Sequence, residues 1–573
     1  MDNTPLLPPS PAEHGKIAAR FLRGTIADEL QNGETAWSKP ATGVLKFHGI
    51  YQQEDRDLRK KGEKLITAMV RLGVPGGVLT ADQYLALDRL ADIGDGTLRI
   101  TTRQDIQYHY VPKLRIHEVI RGINESYLTT LAACGDVVRN VVSCSAPFDT
   151  EQRRELYSII RFLSKSLKPQ STAYYDVWID GERAVSLEEE TRDQWEVEPL
   201  YGAAYLPRKF KIGFTFPGDN TTDVYANDVG VVPHYESGNL SGYTILAGGG
   251  MGQSTGLKMT HPRLADPICF IGPTREELLE VCRAIVTIHR DFGNRSNRKM
   301  ARLKYVLDAW GVAKFKQELE TRVGRELAPP KDLVWHRSND YLGWHKQSDG
   351  PDGRPVWFVG VRVIAGRIKD FDEQRQVRAG IRSVVEKFRP GVRLTPQQNM
   401  YLSDIADADR PAIAAMLREY GISEPESLPP VLRHAMSCPA LPTCGLAITE
   451  SERAMPQIVA EIQAELNAVG LSDEIVHLRT SGCPNGCARP YTAEIGIVGA
   501  SVNMYTIYLG ASPLGMRMGK AFATNVKGDQ IAATLRPIIQ FFAATRHTGE
   551  TFGDFCHRAG IEALREVTSE VAA

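Results

Sequence analysis

The first third of the chain contains a segment whose apolar and polar positions predict a small α/β unit. Within residues 64–112, an apolar stretch is followed by a Pro75-Gly76-Gly77 turn and then by helical periodicity near 81–92. The alternation over residues 97–107 predicts a single β-strand. Because every second side chain of a strand lies on the same face, this strand should present together Arg99, Thr101, Arg103 and Gln107.

A second copy of this pattern follows later in the chain. Residues 98–106 (LRITTRQDI) align with residues 392–400 (VRLTPQQNM) at an offset of 294, and residues 138–144 align with 432–438 at the same offset. The segment YTILAG at 243–248 also resembles YTIYLG at 505–510. A period this long excludes a solenoid and indicates an internal duplication.

The duplication predicts an α+β, pseudo-twofold fold in which two small α/β modules alternate with two larger α+β modules. The interface between such modules is a usual place for a large cofactor. We place the boundaries as follows: a partly disordered N-terminal arm at 1–45, small module 1 at 46–134, large module 1 at 135–344, small module 2 at 345–420 and large module 2 at 421–573.

Four cysteines form two pairs in the second half, Cys438 with Cys444 and Cys483 with Cys487. The C-x5-C and C-x3-C spacings, bent by prolines and by Asn485-Gly486, suit a cage of thiolates around an iron–sulfur cluster. Zinc is the alternative metal, although C-x5-C is longer than the usual zinc knuckle. Four inert core cysteines are the other alternative. The remaining cysteines stay unassigned and are expected in the core: Cys134, Cys144, Cys269, Cys282 and Cys556.

Composition narrows the class of protein. The 573 residues are too many for one hydrophobic core, and 42% hydrophobic and 24% charged residues describe an ordinary globular protein. A net charge of −1 excludes a global basic excess, so we expect no nucleic-acid partner. The acidic, proline-rich N-terminus lacks the pattern of a signal peptide, and no apolar run is long enough to span a membrane. We therefore expect a cytoplasmic protein without a membrane partner.

Six stretches of the sequence resemble one known family, the siroheme-containing sulfite and nitrite reductases, and among these the assimilatory sulfite reductase hemoproteins. The stretches, spread over nearly the whole chain, are LKFHGIYQQEDRD (45–57), TLRITTRQDIQYH (97–109), ACGDVVRN (133–140), YLPRKFK (205–211), MSCPALPTC (436–444) and SGCPNGCARP (481–490).

The resemblance implies that the two small α/β modules are ferredoxin-like, and that the protein holds one siroheme and one [4Fe–4S] cluster. It assigns Cys438, Cys444, Cys483 and Cys487 to the cluster, and gives Cys487 a second role as the axial ligand of the siroheme iron. Siroheme bears eight carboxylates, which guanidinium groups recognise well. The residues implied to contact it are Arg99, Thr101, Arg103, Gln107, His109 and Asn485. From the residues alone, a solvated sheet face is the alternative for Arg99–Gln107, and a satisfied core histidine is the alternative for His109.

The same resemblance places four cations over the siroheme as the catalytic, sulfite-binding set: Arg71, Arg139, Lys209 and Lys211. Lys209 and Lys211 lie two residues apart, so in an extended segment both point away from Phe210; a surface strand with snorkelling lysines is the alternative. At the position two after Arg71, where family members often carry another basic residue, this chain has Gly73.

The implied reaction is the six-electron reduction of sulfite to hydrogen sulfide in sulfate assimilation and cysteine biosynthesis. A siroheme nitrite reductase producing ammonia is the nearest alternative, and a non-catalytic electron-transfer subunit is another. The chain lacks a flavin or nicotinamide fingerprint. Electrons must therefore come from a partner, either an NADPH-dependent flavoprotein or a ferredoxin. The sequence leaves open whether the basic stretch 295–304 faces water, a donor protein or the cofactor.

Overall fold

A computed structural model describes residues 8–171, 176–179, 182–186, 197–257 and 259–572. The composition of residues 1–12 predicts disorder; residues 1–7 lie outside the described residues, and a helix already begins at Pro11. From Pro11 onward the N-terminal arm is helical, with three short helices: α1 (Pro11–Ala18), α2 (Ile26–Gln31) and α3 (Lys39–Leu45). Lys16 on α1 joins this arm to large module 1, because its Nζ donates to the carbonyl of Leu206 at 2.7 Å.

Small module 1 has the predicted α/β character. Its elements are β1 (Ile50–Glu54), α4 (Arg56–Lys60), β2 (Ile66–Leu72), β3 (Val78–Leu79), α5 (Ala81–Leu90), β4 (Leu98–Ile100), β5 (Ile106–Val111) and α6 (Ile116–Glu125). Helix α5 begins where Thr80 and Gln83 form a capping box, in which each side chain accepts from the other residue's backbone N–H.

The prediction of one strand over 97–107 was wrong. The chain turns between β4 and β5, where Thr101 N donates to the Asp105 carbonyl at 3.0 Å and Gln104 takes a positive φ of 58°. The two strands then pair antiparallel, with Arg99 opposite Gln107. Arg99, Thr101, Arg103 and Gln107 therefore do not share one strand face, because two of them lie in the turn.

Large module 1 is built around a four-stranded sheet covered by long helices. Its elements are α7 (Glu151–Ser166), β6 (Asp176–Ile179), β7 (Glu182–Ser186), β8 (Ile212–Phe214), β9 (Gly218–Asp219), β10 (Val229–Glu236), β11 (Asn239–Ala247), β12 (Asp266–Ile271), α8 (Arg275–Phe292), α9 (Leu303–Val323) and β13 (Trp335–Arg337). The sheet order is β12-β11-β10-β8, and its apolar face packs with α7, α8 and α9 in one continuous core.

Small module 2 repeats the first. Its elements are β14 (Gly343–Asp349), β15 (Pro355–Val361), β16 (Arg367–Ile368), β17 (Asp370–Asp372), β18 (Arg375–Gln376), α10 (Val377–Phe388), β19 (Gly391–Leu394), β20 (Met400–Ala406) and α11 (Arg410–Glu419). The turn between β19 and β20 has the same hydrogen bond as its counterpart, from Thr395 N to the Asn399 carbonyl at 2.9 Å. Gln398, the equivalent of Gln104, also has a positive φ, 68°.

The two small modules exchange an edge strand. The sheet orders are β1-β2-β5-β4-β16 and β14-β15-β20-β19-β3, so each five-stranded sheet ends in a short strand from the other module. Their buried side chains form one shared core. The exchange is symmetric: a Cβ on Gly77 would lie 2.3 Å from the Leu394 carbonyl oxygen, and one on Gly366 would lie 2.2 Å from that of Ile100. Glycine is required at both crossings, and the pseudo-twofold relation is confirmed.

Large module 2 carries the cysteine pairs. Its elements are α12 (Pro430–His434), β21 (Met436–Ser437), α13 (Met455–Ala468), β22 (Leu478–Ser481), β23 (Ile495–Ser501), β24 (Met504–Leu509), β25 (Lys520–Lys527), α14 (Ile531–Thr545), α15 (Phe552–Ala559) and α16 (Ile561–Ala572). The strands form one sheet in this order, β21-β22-β23-β24-β25. Among the described residues, no helix is long and apolar enough to cross a lipid bilayer.

Candidate functional site

Both cysteine pairs lie at one edge of the sheet of large module 2. Strands β21 and β22 are parallel neighbours, and Cys438 follows the first directly while Cys483 comes two residues after the second. The carboxyl ends of parallel strands meet at the same edge, so both loops start side by side. The loops are joined further on, because Ile448 N donates to the Gly482 carbonyl at 2.8 Å.

Cys487 lies close enough to the other three cysteines to influence the pKa of each of them. Burial, together with the nearby Cys487 and Cys483, raises the pKa of Cys438 to about 12. Burial, together with Cys438 and Cys487, raises the pKa of Cys444 to about 11. The pKa of Cys483 is also about 11, again through burial and then through Cys487. All four side chains therefore converge on one region.

The surroundings of the sulfurs fit an iron–sulfur cluster. Gly482 N lies 3.3 Å from Cys438 Sγ, and Asn485 Nδ2 lies 3.4 Å from Cys483 Sγ, so both sulfurs accept N–H donors. Such donors stabilise the negative charge of thiolate ligands and tune a cluster. Among the described residues, no three His, Cys, Asp or Glu side chains are arranged to hold a single metal ion.

The glycine-rich loop 248–252 supports the second cysteine turn. Gln253 N donates to the Pro484 carbonyl at 3.0 Å, and the buried Lys304 Nζ donates to the carbonyls of Gly252 at 2.8 Å and Gly250 at 3.1 Å. A Cβ on Gly249 would lie 2.1 Å from the Tyr225 carbonyl oxygen, which explains the glycine there. The loop is thus a packing element between the large modules.

Arg71 and Arg139 both lie near the buried Asp105, and Arg71 also interacts electrostatically with Cys487. Burial lowers the pKa of Arg71, but Cys134, Asp105, Tyr51 and Cys487 together outweigh this effect and keep it above its usual range. Arg139 is held by its own segment, where its Nε donates to the Gly135 carbonyl at 2.8 Å. Arg71 therefore remains charged at any physiological pH.

Lys209 and Lys211 complete the cation group. Phe210 between them is fully buried in the core of large module 1 and bridges to Val138, so the two lysines lie on the opposite side of an extended segment, as predicted. Burial, followed by Arg208, lowers the pKa of Lys209 to about 7, although Cys487 opposes this. Burial and Lys209 hold the pKa of Lys211 well below its usual range.

Two arginines that the resemblance implies as ligands of the siroheme carboxylates donate hydrogen bonds to other parts of the protein. Arg99 pairs with Glu452 at 3.1 Å and donates to the Ser437 carbonyl at 2.9 Å. Arg103 donates to Asn227 Oδ1 at 2.9 Å and to the Ile212 carbonyl at 3.0 Å. These guanidinium groups therefore connect the modules.

Thr101 has a local role, since its Oγ1 accepts from the backbone N–H of Arg103 at 3.1 Å and Asp105 at 3.2 Å. Gln107, with its amide oxygen turned toward Arg71, accepts from Arg71 Nε at 3.0 Å. It thereby orients one of the four cations.

The contacts of His109 and Asn485 are compatible with binding to a cofactor. The buried His109 contacts Gln53 Oε1 through Nδ1 at 3.3 Å, and its Nε2 has no partner within the described residues. Burial, with Arg367 and Arg99, holds the pKa of His109 well below its usual value, so it is neutral. Asn485 donates to Cys483, which places it at the cluster cage.

The structure adds residues that sequence reasoning did not select. Asp105 is buried among Arg71, Arg103 and Arg139; burial raises its pKa to about 6 while those three cations lower it. Arg208 contributes further positive charge at Lys209. Asp105 belongs to the same alternation as Arg103, and this signal could have identified it.

The basic stretch 295–304 is an anchor rather than an open surface. Arg298 pairs with Asp136 at 2.9 Å, and Arg302 pairs with the buried Asp228 at 2.7 Å. Together with the carbonyl contacts of Lys304, these pairs fix the stretch against the core of large module 1.

The first half has no counterpart of the cysteine cage. Cys144, which aligns with Cys438, lies 3.5 Å from Arg153 Nη1, and the Arg153 guanidinium stacks 4.3 Å from the ring centre of Phe216. Arginine and aromatic side chains occupy this region. Cys134, Cys269, Cys282 and Cys556 are buried free thiols.

Comparison with known proteins agrees with this architecture. Residues 161–327 and 430–573 match the nitrite and sulphite reductase 4Fe-4S domain, and residues 59–126 and 348–420 match the nitrite/sulfite reductase ferredoxin-like half domain. The chain therefore belongs to the nitrite and sulphite reductase family.

Among its relatives, "Sulfite reductase [ferredoxin]" from Synechococcus elongatus is 43% identical, with 97% of this chain and 90% of the relative covered. "Sulfite reductase [NADPH] hemoprotein beta-component" from Paenibacillus sp. is 41% identical, with 98% and 97% covered. The solved structure of the Mycobacterium tuberculosis NirA protein superposes with a TM-score of 0.76 at 24% identity, covering 97% of this chain and 98% of NirA, and so shares the fold.

Proposed function

We propose that this chain reduces sulfite to hydrogen sulfide at a siroheme coupled to a [4Fe–4S] cluster, in the assimilatory route to cysteine. The names of its relatives support this reaction. The observation that carries it is a convergence: the cations Arg71, Lys209 and Lys211 all interact electrostatically with Cys487, the last cysteine of the cage.

Cys438, Cys444, Cys483 and Cys487 would hold the cluster, and Cys487 would also reach the siroheme iron. When bound, these groups supply single electrons to the sulfur of the substrate. Burial opposes ionisation of the free thiols, so positively charged iron is needed to keep them as thiolates.

The cation group would bind and orient the anion. Sulfite is a small dianion, and it must approach a macrocycle that itself carries carboxylates. Arg71 and Arg139 supply permanent positive charge, while Arg208 and Arg302 add to the field at Lys209. An anion at this position relieves repulsion among cations that already lower one another's pKa.

The lysines would also supply protons. Conversion of sulfite to hydrogen sulfide consumes six electrons and eight protons and releases three waters. A side chain whose pKa is about 7, as for Lys209, can hold and release a proton near neutral pH. A pure electron carrier has no need of such a cation group, which argues against a non-catalytic role.

Electrons would come from a separate protein, a ferredoxin or an NADPH-dependent flavoprotein, since relatives of both names exist. We propose a cytoplasmic location, in keeping with such donors, and no nucleic-acid or membrane partner.

The test is reconstitution with siroheme, iron and sulfide, followed by assays with sulfite and with nitrite. Each substrate should be tried with dithionite-reduced viologen, with reduced ferredoxin, and with NADPH plus a flavoprotein. We expect sulfide as product and a higher kcat/KM for sulfite than for nitrite. Absence of sulfide with the viologen would contradict the proposed function, and a preference for nitrite would favour the sister activity.

A further inference from the structure

The turn that carries Cys487 is held by the opposite half of the molecule. Thr102, in the turn between β4 and β5 of small module 1, donates its Oγ1 proton to the Cys487 carbonyl at 3.0 Å. The two residues lie 385 positions apart in sequence. Cys487 follows Gly486, whose φ of 59° gives the turn its shape, and Arg489 N closes that turn by donating to the Gly486 carbonyl at 3.0 Å.

Arg489 extends this connection to both halves. Its Nη1 donates to the Thr102 carbonyl at 3.1 Å and its Nη2 donates to the Pro396 carbonyl at 3.0 Å. Thr102 and Pro396 are equivalent residues of the two hairpin turns, 294 positions apart. The buried Asp223 pairs with Arg489 Nε and fixes the guanidinium between the two turns.

We propose that Thr102 and Arg489 are positioning residues that set the place of the Cys487 sulfur relative to both cofactors. This inference rests on the proposed function, because it assigns Cys487 to the junction between the cluster and the siroheme. A ligand that joins two groups must be held against both, and supporting hydrogen bonds commonly provide this precision. Here one bond reaches the Cys487 carbonyl from small module 1, and one guanidinium fixes both small modules to the cysteine turn.

The test compares Thr102→Val, which keeps the shape but removes the donor, with Thr102→Ser, which keeps the donor. Holoenzymes are measured for iron, labile sulfide and siroheme content, for the electron paramagnetic resonance signature of cluster–siroheme coupling, and for viologen-driven sulfite reduction. We expect Thr102→Val to keep its cofactors, to change the coupling signature and to lose roughly tenfold in turnover, the low end for loss of a supporting hydrogen bond. Thr102→Ser should resemble the wild type.

Thr321→Val is the matched control, because Thr321 Oγ1 also donates to a main-chain carbonyl, that of Gln317 at 2.9 Å, on the exposed side of α9. Thr321→Val should change neither the coupling signature nor the rate of sulfite reduction. A wild-type signature and rate in Thr102→Val would overturn the inference.

If Thr102→Val does not fold, the coupling signature and the rate of sulfite reduction are measured in Thr102→Ala instead. Loss of cofactors from both variants would show that Thr102 has a merely structural role and would overturn the inference. The signature is read independently of activity. Failure of the proposed function would instead appear as a wild-type enzyme that makes no sulfide.

Discussion

Asp223 and Arg489 are equivalent residues of the two halves, and they form an ion pair with each other. In the first half Val142 forms a β-bridge with Gly213, and in the second half Met436 pairs with Arg479 in the same way. Asp223 lies ten residues after Gly213, and Arg489 lies ten residues after Arg479. Both have left-handed backbones, with φ of 48° and 57°, and both precede a 3-10 turn. Divergence gave these positions opposite charges, so the duplicated halves attract each other directly beside the cysteine cage.

Replacing any one of Cys438, Cys444, Cys483 and Cys487 by Ser should remove the cluster, because a hard hydroxyl is a poor substitute for a soft thiolate. Iron and acid-labile sulfide are measured in each purified variant. Cys282→Ala is the control, since Cys282 is a buried thiol in the core of large module 1 and should leave both contents unchanged. Full retention of iron and sulfide in one of the four variants would remove that cysteine from the ligand set.

Changing Lys209 or Lys211 to Met should lower sulfite turnover by about 10²–10³-fold, the usual effect of losing one preorganised donor, while the absorption spectrum of the cofactors stays the same. Steady-state assays with viologen as reductant measure this. The control is Lys346→Met, because the Lys346 side chain is half exposed on β14. A wild-type rate in either lysine variant would show that the replaced lysine is not part of the catalytic set.

The pH dependence of kcat/KM should show the ionisation of Lys209. Its lowered pKa, about 7, means that the protonated form dominates below this pH and is lost above it, so kcat/KM should fall as pH rises through about 7. Lys209→Arg stays charged and should lose this limb. Ionisation of sulfite itself affects both enzymes equally. Identical profiles for the two enzymes would show that Lys209 does not titrate in this range.

Glu452→Gln should destabilise the fold by about 3 kcal/mol, the lower end for breaking a buried ion pair, because Arg99 and Arg367 both lose their partner. Burial raises the pKa of Glu452, but these two arginines outweigh it and bring the pKa to about 2. The folded pKa is depressed, so this stabilisation is present above about pH 4.3, the ordinary glutamate value, and is lost as pH falls toward 2.

Urea unfolding at pH 7 and at pH 3 measures this effect: the difference between wild type and Glu452→Gln should shrink at the lower pH. Glu118→Gln, at the exposed pair with Arg115, is the control and should leave the midpoint unchanged. An equal midpoint for Glu452→Gln and wild type at pH 7 would contradict the structural role of this carboxylate.

The sequence by itself determined the duplication, the two cysteine pairs and the extended Lys209–Lys211 segment. Each depends on local spacing or on similarity between two stretches, and both are visible without coordinates. It also identified small module 1 as an α/β unit, because the Pro75-Gly76-Gly77 turn and the helical periodicity near 81–92 are local patterns.

Only the tertiary structure decided the partners of the buried polar groups. Alternation extends equally through a strand and through a tight hairpin, so residues 97–107 could not reveal the turn at Thr101–Asp105. Arg99 and Arg103 have the composition of a carboxylate-binding face, and only the packing of the modules shows which protein groups they reach. Arg99 donates to Glu452 and Ser437, and Arg103 donates to Asn227 and Ile212.

The same limit applies to Thr102 and Cys487. A hydrogen bond between residues 385 positions apart leaves no periodic trace in the sequence, because it depends on how the two halves pack. Strand exchange and the Asp223–Arg489 pair bring those halves together, and they thereby decide which side chain supports the cysteine turn.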